Sequence, residues 1–138
     1  MKRKVLLLLP VLLTGCVMDS YYGRPLSVVN KSSVRVAVDI VNDTTKRTEN
    51  NIAYYQSNEI APYDTAFIKK PGEDAWLEYV NKGNAKTLYI YIFDIDSLNK
   101  YQKGGADMSY LPGNKKYLKR LDYSLDELTK ANWVVTYK

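Results

Sequence analysis

Residues 87–93 read Thr-Leu-Tyr-Ile-Tyr-Ile-Phe, and this segment constrains the fold more than any other part of the chain. Successive side chains of a strand point to opposite faces, so leucine and isoleucine occupy one face of this segment and aromatic residues the other. A strand that is apolar on both faces is typical of the centre of a sheet that is covered on both sides. The segment therefore predicts a central strand whose aromatic face is either covered by a C-terminal helix or left exposed as a binding surface.

The rest of the chain also favours strands. Residues 33–41 alternate β-branched residues with Arg35, Ala37 and Asp39, which predicts a strand with one buried face. Residues 117–121 and 133–137 predict two more strands, and Ser124 with Glu127 matches a capping box that begins a helix over 125–130. Residues 52–60 and 75–80 stay ambiguous between helix and strand.

Short strands separated by Gly and Pro turns predict a mainly β fold. We expect an antiparallel β-sandwich, Ig-like or jelly-roll-like, or an open barrel, with one or two short helices. No long alternation of strands and helices is present, so a doubly wound parallel sheet is not expected.

The N-terminus has the organisation of a secretory signal peptide. Three basic residues, Lys2 to Lys4, precede the apolar run Val5–Leu13, which is too short to span a bilayer as a helix. Leu13-Thr14-Gly15-Cys16 then resembles a bacterial lipobox, which implies cleavage before Cys16 and acylation of its thiol. Acyl chains such as palmitate would hold the protein on a membrane.

Cys16 is the only cysteine of the chain, so we expect an anchor and no disulfide or redox role. The predicted organisation is a lipoprotein signal peptide over 1–15, the lipidated cysteine and a tether over 16–25, and a single β-rich domain over 26–138. Cleavage would remove three basic residues and no acid, which lowers the formal charge from +5 to +2. The basic character of the full chain is therefore no sign of nucleic-acid binding.

The sequence lacks residues that several kinds of catalysis and metal binding require. The chain has no histidine, which removes the usual general base and the commonest metal ligand. Asp94 and Asp96 echo the start of a calcium loop, but Leu98 stands where a third ligand would be needed. Acidic residues such as Glu59 and Asp64 could form a glycosidase pair only if the fold brought two carboxyl groups together. We expect a protein that is not an enzyme and that has no metal and no other cofactor.

The 13 tyrosines and two tryptophans provide the candidate binding residues. Exposed aromatic side chains serve protein interfaces and sugar-binding platforms, although strands also use them in cores. For a partner or ligand surface the candidates are Tyr89, Tyr91, Phe93 and Trp76. For a glycan-binding surface the candidates are Tyr54, Tyr55, Trp76 and Tyr79. Residues 115–120 hold four basic residues, which predicts a strand edge guarded by lysine or a membrane contact.

Three segments of the C-terminal half, residues 89–98, 117–128 and 132–137, resemble a family of small uncharacterised lipoproteins and exported proteins of Bacteroides-type (Bacteroidota) bacteria. The family pattern is a strand ending in Phe-Asp, then Leu-Lys-Arg followed by a Ser-Leu-Glu-Asp-Leu helix start, then Asn-Trp before a final strand; this chain has Ser-Leu-Asp-Glu-Leu at 124–128. Leu121 stands where the family commonly has Tyr, and Lys138 where it commonly has Pro. The resemblance covers about residues 26–138 and implies no activity.

Together these features predict a lipid-anchored protein of the bacterial cell envelope, in the outer membrane. We expect a non-enzymatic binding or structural accessory of another envelope protein, acting through the aromatic strand face or a free strand edge. The alternative is a glycan-binding module of the cell surface. The partners expected are the membrane, through the acyl chains on Cys16, an envelope protein or a glycan, and no nucleic acid.

Overall fold

A computed structural model describes residues 22–138, which form seven strands in two sheets and four short helices. The strands are β1 (Leu26–Asn30), β2 (Val36–Val41), β3 (Glu59–Ile60), β4 (Thr65–Ile68), β5 (Thr87–Asp94), β6 (Lys119–Ser124) and β7 (Val134–Tyr137). The helices are α1 (Ile52–Ser57), α2 (Ala75–Asn81), α3 (Ile95–Lys103) and α4 (Leu125–Lys130), with a 3-10 turn at Met108–Tyr110. The fold is therefore strand-rich but mixed α/β, with more helix than the mainly β prediction allowed.

The two sheets differ in how their strands pair. The larger sheet has the order β3-β2-β5-β6 and is antiparallel throughout, with β5 in its interior. The smaller sheet has the order β4-β1-β7, where β1 is antiparallel to β4 but parallel to β7. The prediction of an antiparallel fold is wrong for this last pair. Parallel neighbours need a long crossover connection, and nearly all of the described chain lies between β1 and β7.

One hydrophobic core is shared by both sheets. The face of β5 that carries Leu88, Ile90 and Ile92 packs with buried residues of β1, β2 and β7, and with Trp76 of α2. Leu128 of α4 belongs to the same core. The C-terminal helix therefore covers the aliphatic face of β5.

A second core covers the aromatic face of β5. Tyr91 and Phe93 are buried there against Tyr55 of α1, residues of α3 and the 3-10 turn that contains Met108. Both faces of β5 are covered, which decides between the two alternatives that the sequence left open for the aromatic face. The prediction that the C-terminal helix provides this cover is wrong, because α4 lies on the other face and α1 and α3 take its place.

Local sequence signals account for most element boundaries. Ser124 and Glu127 form the predicted capping box at the start of α4, with Ser124 N donating to Glu127 Oε2 at 2.8 Å. The two ambiguous segments are mainly helical: 75–81 forms α2, and 52–60 forms α1 followed by the two-residue strand β3. Asn51 begins α1 by accepting a hydrogen bond from Ala53 N.

The predicted basic strand edge is confirmed, since β6 is an edge strand and Lys119 and Arg120 are exposed on it.

Residues 22–25 are held on the domain, so the predicted tether does not extend to residue 25. Tyr22 pairs with the turn at Pro71 and Gly72, and Gly23 N donates to Gly72 O at 2.9 Å. A side chain at Gly23 would meet the backbone oxygen of Glu73, because an added Cβ would lie 1.7 Å from that atom. Only glycine permits this close approach. Tyr22 and Gly23 therefore contact the folded domain, although the sequence places them in the tether.

The predicted signal peptide, the lipidation site at Cys16 and the first part of the tether lie outside the described residues. Within residues 22–138, no helix combines the length and the apolar composition that crossing a membrane requires.

Asn30, at the end of β1, joins the two sheets by hydrogen bonds. Its side chain is buried, and Nδ2 lies 2.8 Å from Val34 O, 3.2 Å from Ile60 O and 3.0 Å from Ala61 O. Ile60 belongs to the larger sheet and Asn30 to the smaller one. Oδ1 accepts from the backbone and the hydroxyl of Ser32. A single amide thus satisfies buried carbonyl groups at the junction of the sheets.

We expect Asn30→Ala to lower the free energy of unfolding by about 2–3 kcal/mol, because it removes a buried amide that donates to Ile60 O and Ala61 O across the junction of the sheets. Urea denaturation followed by circular dichroism measures the change. Ser32→Ala, which removes one half-buried hydroxyl from the same network, should cost less than about 1 kcal/mol. Equal losses in the two variants would contradict the bridging role of Asn30.

Candidate functional site

Three of the four aromatic residues predicted to bind a partner are buried. Tyr91 and Phe93 lie in the second core, and Trp76 is 5% exposed in the first. Trp76 Nε1 donates to Ile68 O at 3.0 Å, so its polar atom is also used inside the domain. These side chains cannot form an exposed aromatic surface in this fold, because the helices α1 and α3 and the core between the sheets already cover them.

Tyr89 is the fourth, and it is half-buried at the edge of the same strand face. The Arg120 guanidinium lies 5.5 Å from the centre of its ring, and Arg120 is held by Asp122 at 2.8 Å. The last aromatic ring on this face of β5, that of Tyr89, is therefore contacted by the guanidinium group of Arg120 on the neighbouring strand β6. We find no continuous aromatic surface along this face among the described residues.

Asp39 of β2 is a buried carboxylate that the sequence analysis placed on a solvent-facing side of its strand. Its Oδ1 accepts from the backbone nitrogen of Ile40 at 2.8 Å. Its Oδ2 accepts from the backbone nitrogen of Glu49 at 2.8 Å and lies 3.0 Å from the Tyr55 hydroxyl oxygen. Asp39 thus ties the loop after β2 and helix α1 to the larger sheet.

The same hydroxyl lies 2.9 Å from the carbonyl oxygen of Glu49. A phenol has one hydrogen to donate, so Tyr55 cannot fully donate to both Glu49 O and Asp39 Oδ2. Both contacts are complete when Asp39 is protonated and donates to Tyr55. Burial raises the pKa of Asp39, and the nearby charge of Glu49 adds to this effect, although three hydrogen bonds oppose it.

Asp39 lies at the base of an open groove with a volume of about 490 Å³, which we call the Asp39 groove. Strand β2, the loop that follows it, helices α1 and α2 and the 3-10 turn all contribute to its walls. The lining residues are Asp39, Ile40, Val41, Lys46, Arg47, Thr48, Glu49, Asn50, Tyr54, Tyr79 and Ser109.

Tyr54 and Tyr79, two of the candidates for glycan binding, both line this groove. Tyr54 is 37% exposed, and its ring meets the buried Tyr55 edge-on at 5.4 Å. Tyr79 donates from its hydroxyl to Ile40 O at 3.2 Å, and Lys70 Nζ lies 4.1 Å from the centre of its ring. Tyr54 therefore has an aromatic ring that a ligand can contact, whereas the ring of Tyr79 is held in the groove wall by Ile40 and Lys70.

The tyrosine hydroxyl groups of the groove stay protonated at neutral pH. Burial, followed by the negative charges of Asp39 and Glu49, raises the pKa of Tyr54 to about 12. Burial also raises the pKa of Tyr79. Both phenols therefore act as neutral groups that donate and accept hydrogen bonds.

The groove wall formed by the loop between β2 and α1 is held in place at several points. Asn50 Oδ1 accepts from Met108 N at 2.7 Å, which joins the loop to the 3-10 turn. Lys46 Nζ donates to Asn42 Oδ1 at 3.0 Å, and the Arg47 guanidinium lies 4.5 Å from the ring centre of Tyr110. With the bonds of Asp39 and Tyr55, these contacts give the groove a preformed shape.

The two aspartates that echo the start of a calcium loop have structural roles in the fold. Asp94 caps helix α3 by accepting from Ser97 N at 2.6 Å, and Asp96 pairs with Arg35 at 2.8 Å. No group of three or more acidic, histidine or cysteine side chains that could hold a metal ion occurs within residues 22–138.

A second exposed feature is the outer face of the smaller sheet. Phe67 of β4 is 65% exposed and Val134 of β7 is 41% exposed, and both lie in register with Ser27 of β1. The next row across this sheet consists of Thr65, Val29 and Thr136, which are half-buried. We call these six residues the outer sheet face. Its first row has Ser27 between the apolar side chains of Phe67 and Val134, and its second row has Val29 between two threonines. The face thus mixes apolar side chains with hydroxyl groups and borders a strand edge.

Comparison of the chain with protein-family models, with curated protein sequences and with solved structures finds no match in any of the three. The resemblance to Bacteroidota lipoproteins is therefore untested, and it stays a prediction from the sequence.

The pH dependence of stability should report the buried Asp39. Its pKa is near 3.8 in the unfolded chain and higher in the folded chain, so the folded state binds the proton more tightly. The contribution of Asp39 to stability is then complete below this unfolded-state value and is lost as the pH rises through the folded-state pKa. We expect the stability of the wild type, relative to Asp39→Asn, to fall as the pH increases above about 4, until the pH has passed the folded-state pKa.

Urea denaturation of both proteins across this pH range measures the difference. The exposed Asp126→Asn is the control for the loss of one carboxylate. A wild type that gains stability relative to Asp39→Asn with increasing pH would show that Asp39 is stabilised as the anion.

Proposed function

We propose that this chain is a lipoprotein of the bacterial cell envelope, anchored by acyl chains on Cys16 and located in the outer membrane. In this proposal the domain has a non-enzymatic binding or structural role toward another envelope protein, and it belongs to the Bacteroidota lipoprotein family that its C-terminal half resembles.

The sequence of the N-terminus supports the anchor. A basic segment, an apolar run too short to span a bilayer and the Leu-Thr-Gly-Cys motif occur in the order that lipid modification requires. The lone cysteine stands directly after the glycine of this motif. A cysteine kept for packing would have no reason to occur at this position.

The attachment of residues 22–25 to the domain limits how far it can lie from its anchor. Five residues lie between Cys16 and Tyr22, so the chain takes six steps from one to the other, and each step of an extended chain spans at most about 3.3–3.6 Å. Because Tyr22 pairs with the turn at Pro71 and Gly72, that end of the domain would lie within about 20 Å of the membrane surface.

The outer sheet face carries the proposed binding role. Phe67 and Val134 expose apolar area in one row, and β4 is an edge strand with free backbone groups. Protein interfaces combine apolar contacts with hydrogen bonds, and Ser27, Thr65 and Thr136 provide hydroxyl groups among the apolar side chains of this face. A free strand edge also allows a partner to add a strand.

We also propose the finer description of the fold as an open β-sandwich-like domain. The support is the core that the two sheets share. In this core, Val28 from β1 of the smaller sheet packs with Val38 from β2 and Ile90 from β5 of the larger sheet. The layer formed by α1 and α3 on the far side of the larger sheet is an addition to this arrangement.

The anchor predicts a simple fractionation result. Wild-type protein expressed in a Gram-negative host should sediment with the membranes, and mass spectrometry should find its N-terminal peptide beginning at an acylated Cys16. Cys16→Ala should lose the acyl chains and leave the membrane fraction. A Cys16→Ala protein that sediments like the wild type would overturn the proposed anchor.

The proposed interface predicts that one envelope protein is recovered with this chain. Crosslinking in intact cells followed by affinity capture of the tagged, lipidated protein should yield a stoichiometric partner. Phe67→Ser should reduce its recovery at least about tenfold, because central apolar residues dominate interface energies. Capture of a second copy of this chain in its place would identify the outer sheet face as a contact between like chains.

Leu118→Ser is the matched control, since Leu118 is a large exposed apolar residue that lies outside the outer sheet face. It should leave the recovery unchanged. Equal loss with Phe67→Ser and Leu118→Ser would show that the outer sheet face has no special part in binding, and absence of any specific partner would overturn the accessory role.

A further inference from the structure

We infer that the Asp39 groove is a binding site for a neutral oligosaccharide. This ligand class goes beyond the proposed role in binding a protein, and the site lies apart from the outer sheet face. None of the Asp39 groove residues belongs to that face.

The shape of the groove suits a chain of sugar rings. Its volume of about 490 Å³ falls within the about 300–1,000 Å³ typical of small-molecule sites. The groove is open to solvent and is not an enclosed cavity, so a saccharide bound in it can extend beyond the lining residues.

Tyr54 supplies the aromatic surface that a sugar needs. The apolar face of a sugar ring, formed by its C–H groups, packs against aromatic rings, and Tyr54 is the aromatic ring of the groove with substantial exposure. Its raised pKa keeps the phenol neutral, so the hydroxyl can also exchange hydrogen bonds with sugar hydroxyls. The buried Tyr55 supports the ring from behind by an edge-on contact at 5.4 Å.

The polar groups of the groove match hydroxyl groups, which both donate and accept. Lys46 and Arg47 donate, while the carboxylate of Glu49 accepts. Groups of both signs line the same groove, so it has no dominant charge that would select an anion or a cation. This balance favours a neutral saccharide over a phosphorylated or cationic ligand.

The site is also preformed, which lowers the entropic cost of binding. The loop that carries Lys46, Arg47 and Glu49 is fixed to β2 by the bond from Glu49 N to Asp39, and to the 3-10 turn by the bond from Met108 N to Asn50. The wall of the groove is therefore in place before a ligand binds.

The test uses the full lipidated protein in nanodiscs, titrated calorimetrically with two probes, cellotetraose and the tetrasaccharide of N-acetylglucosamine. We expect at least one probe to bind. Tyr54→Ala should weaken that binding by about three- to tenfold, the range that corresponds to loss of one aromatic contact. Tyr54→Phe, which keeps the ring, should retain most of the affinity.

Glu49→Gln provides a second variant that does not alter the packing of α1. The change keeps the size of the side chain and leaves the backbone bond from Glu49 N to Asp39 in place. It removes a charged acceptor, so we expect binding to weaken by about tenfold. Thermal unfolding of each variant establishes that the domain is intact before its affinity is compared.

Tyr63→Ala is the matched control, because Tyr63 is 74% exposed and does not line the groove. It should bind as the wild type does. The inference is overturned if neither tetrasaccharide binds at millimolar concentration, or if Tyr54→Ala and Glu49→Gln bind as tightly as the wild type. Recovery of a protein partner through Phe67 is measured separately, so either proposal can fail without the other.

Discussion

Strand β5 needs a packed layer on each of its faces, and the rest of the domain is arranged to meet that need. Its aliphatic face is buried against the smaller sheet and helices α2 and α4, and its aromatic face against α1 and α3. Each large apolar side chain buried in this way contributes about 1.5–3 kcal/mol relative to exposure. Leaving either face open would therefore cost more than the domain could recover elsewhere, since whole domains are stable by only about 5–15 kcal/mol.

Covering both faces of one sheet has a consequence for its polar residues. In a protein of two packed sheets, the outer face of each sheet meets water. Here α1 and α3 form a third layer over that face of the larger sheet, and the side chain of Asp39 on β2 is buried. The fold then has to supply donors, and it does so by drawing the loop after β2 and the hydroxyl of Tyr55 onto the carboxylate. The groove beside Asp39 has its ordered wall because that loop is fixed in place. Asn30 has a comparable role between the two sheets, where its side-chain amide donates to the carbonyl groups of Ile60 and Ala61.

The two exposed features differ in chemistry and lie on different layers. The outer sheet face mixes exposed apolar side chains with hydroxyl groups beside an edge strand, which suits the proposed protein partner. The Asp39 groove has mixed charges and a half-exposed tyrosine, which suits hydroxylated ligands. Neither feature includes the turn at Pro71 and Gly72 with which Tyr22 pairs.

Local sequence was enough to predict the central strand β5, the capping box of α4, the edge strand β6 and the final strand β7, because each depends on side-chain periodicity or on a hydrogen bond between near neighbours. It predicted neither strand β1 nor its parallel pairing with β7, which depends on contacts between opposite ends of the chain. It placed Trp76, Tyr91 and Phe93 among binding residues and Asp39 in solvent, and the structure reverses these assignments.

Burial is decided by which elements pack over a strand, and periodicity shows only which residues share a face. The doubly apolar β5 gave no decision about Asp39, because β2 and β6 both pair with β5, and β2 is buried whereas much of β6 is exposed. The sequence by itself determined the central strand, the helix caps and the N-terminal motif that ends at Cys16. Only the tertiary structure decided which aromatic rings meet solvent and where a carboxylate, a loop and a tyrosine form a groove, because those properties arise between elements distant in the chain.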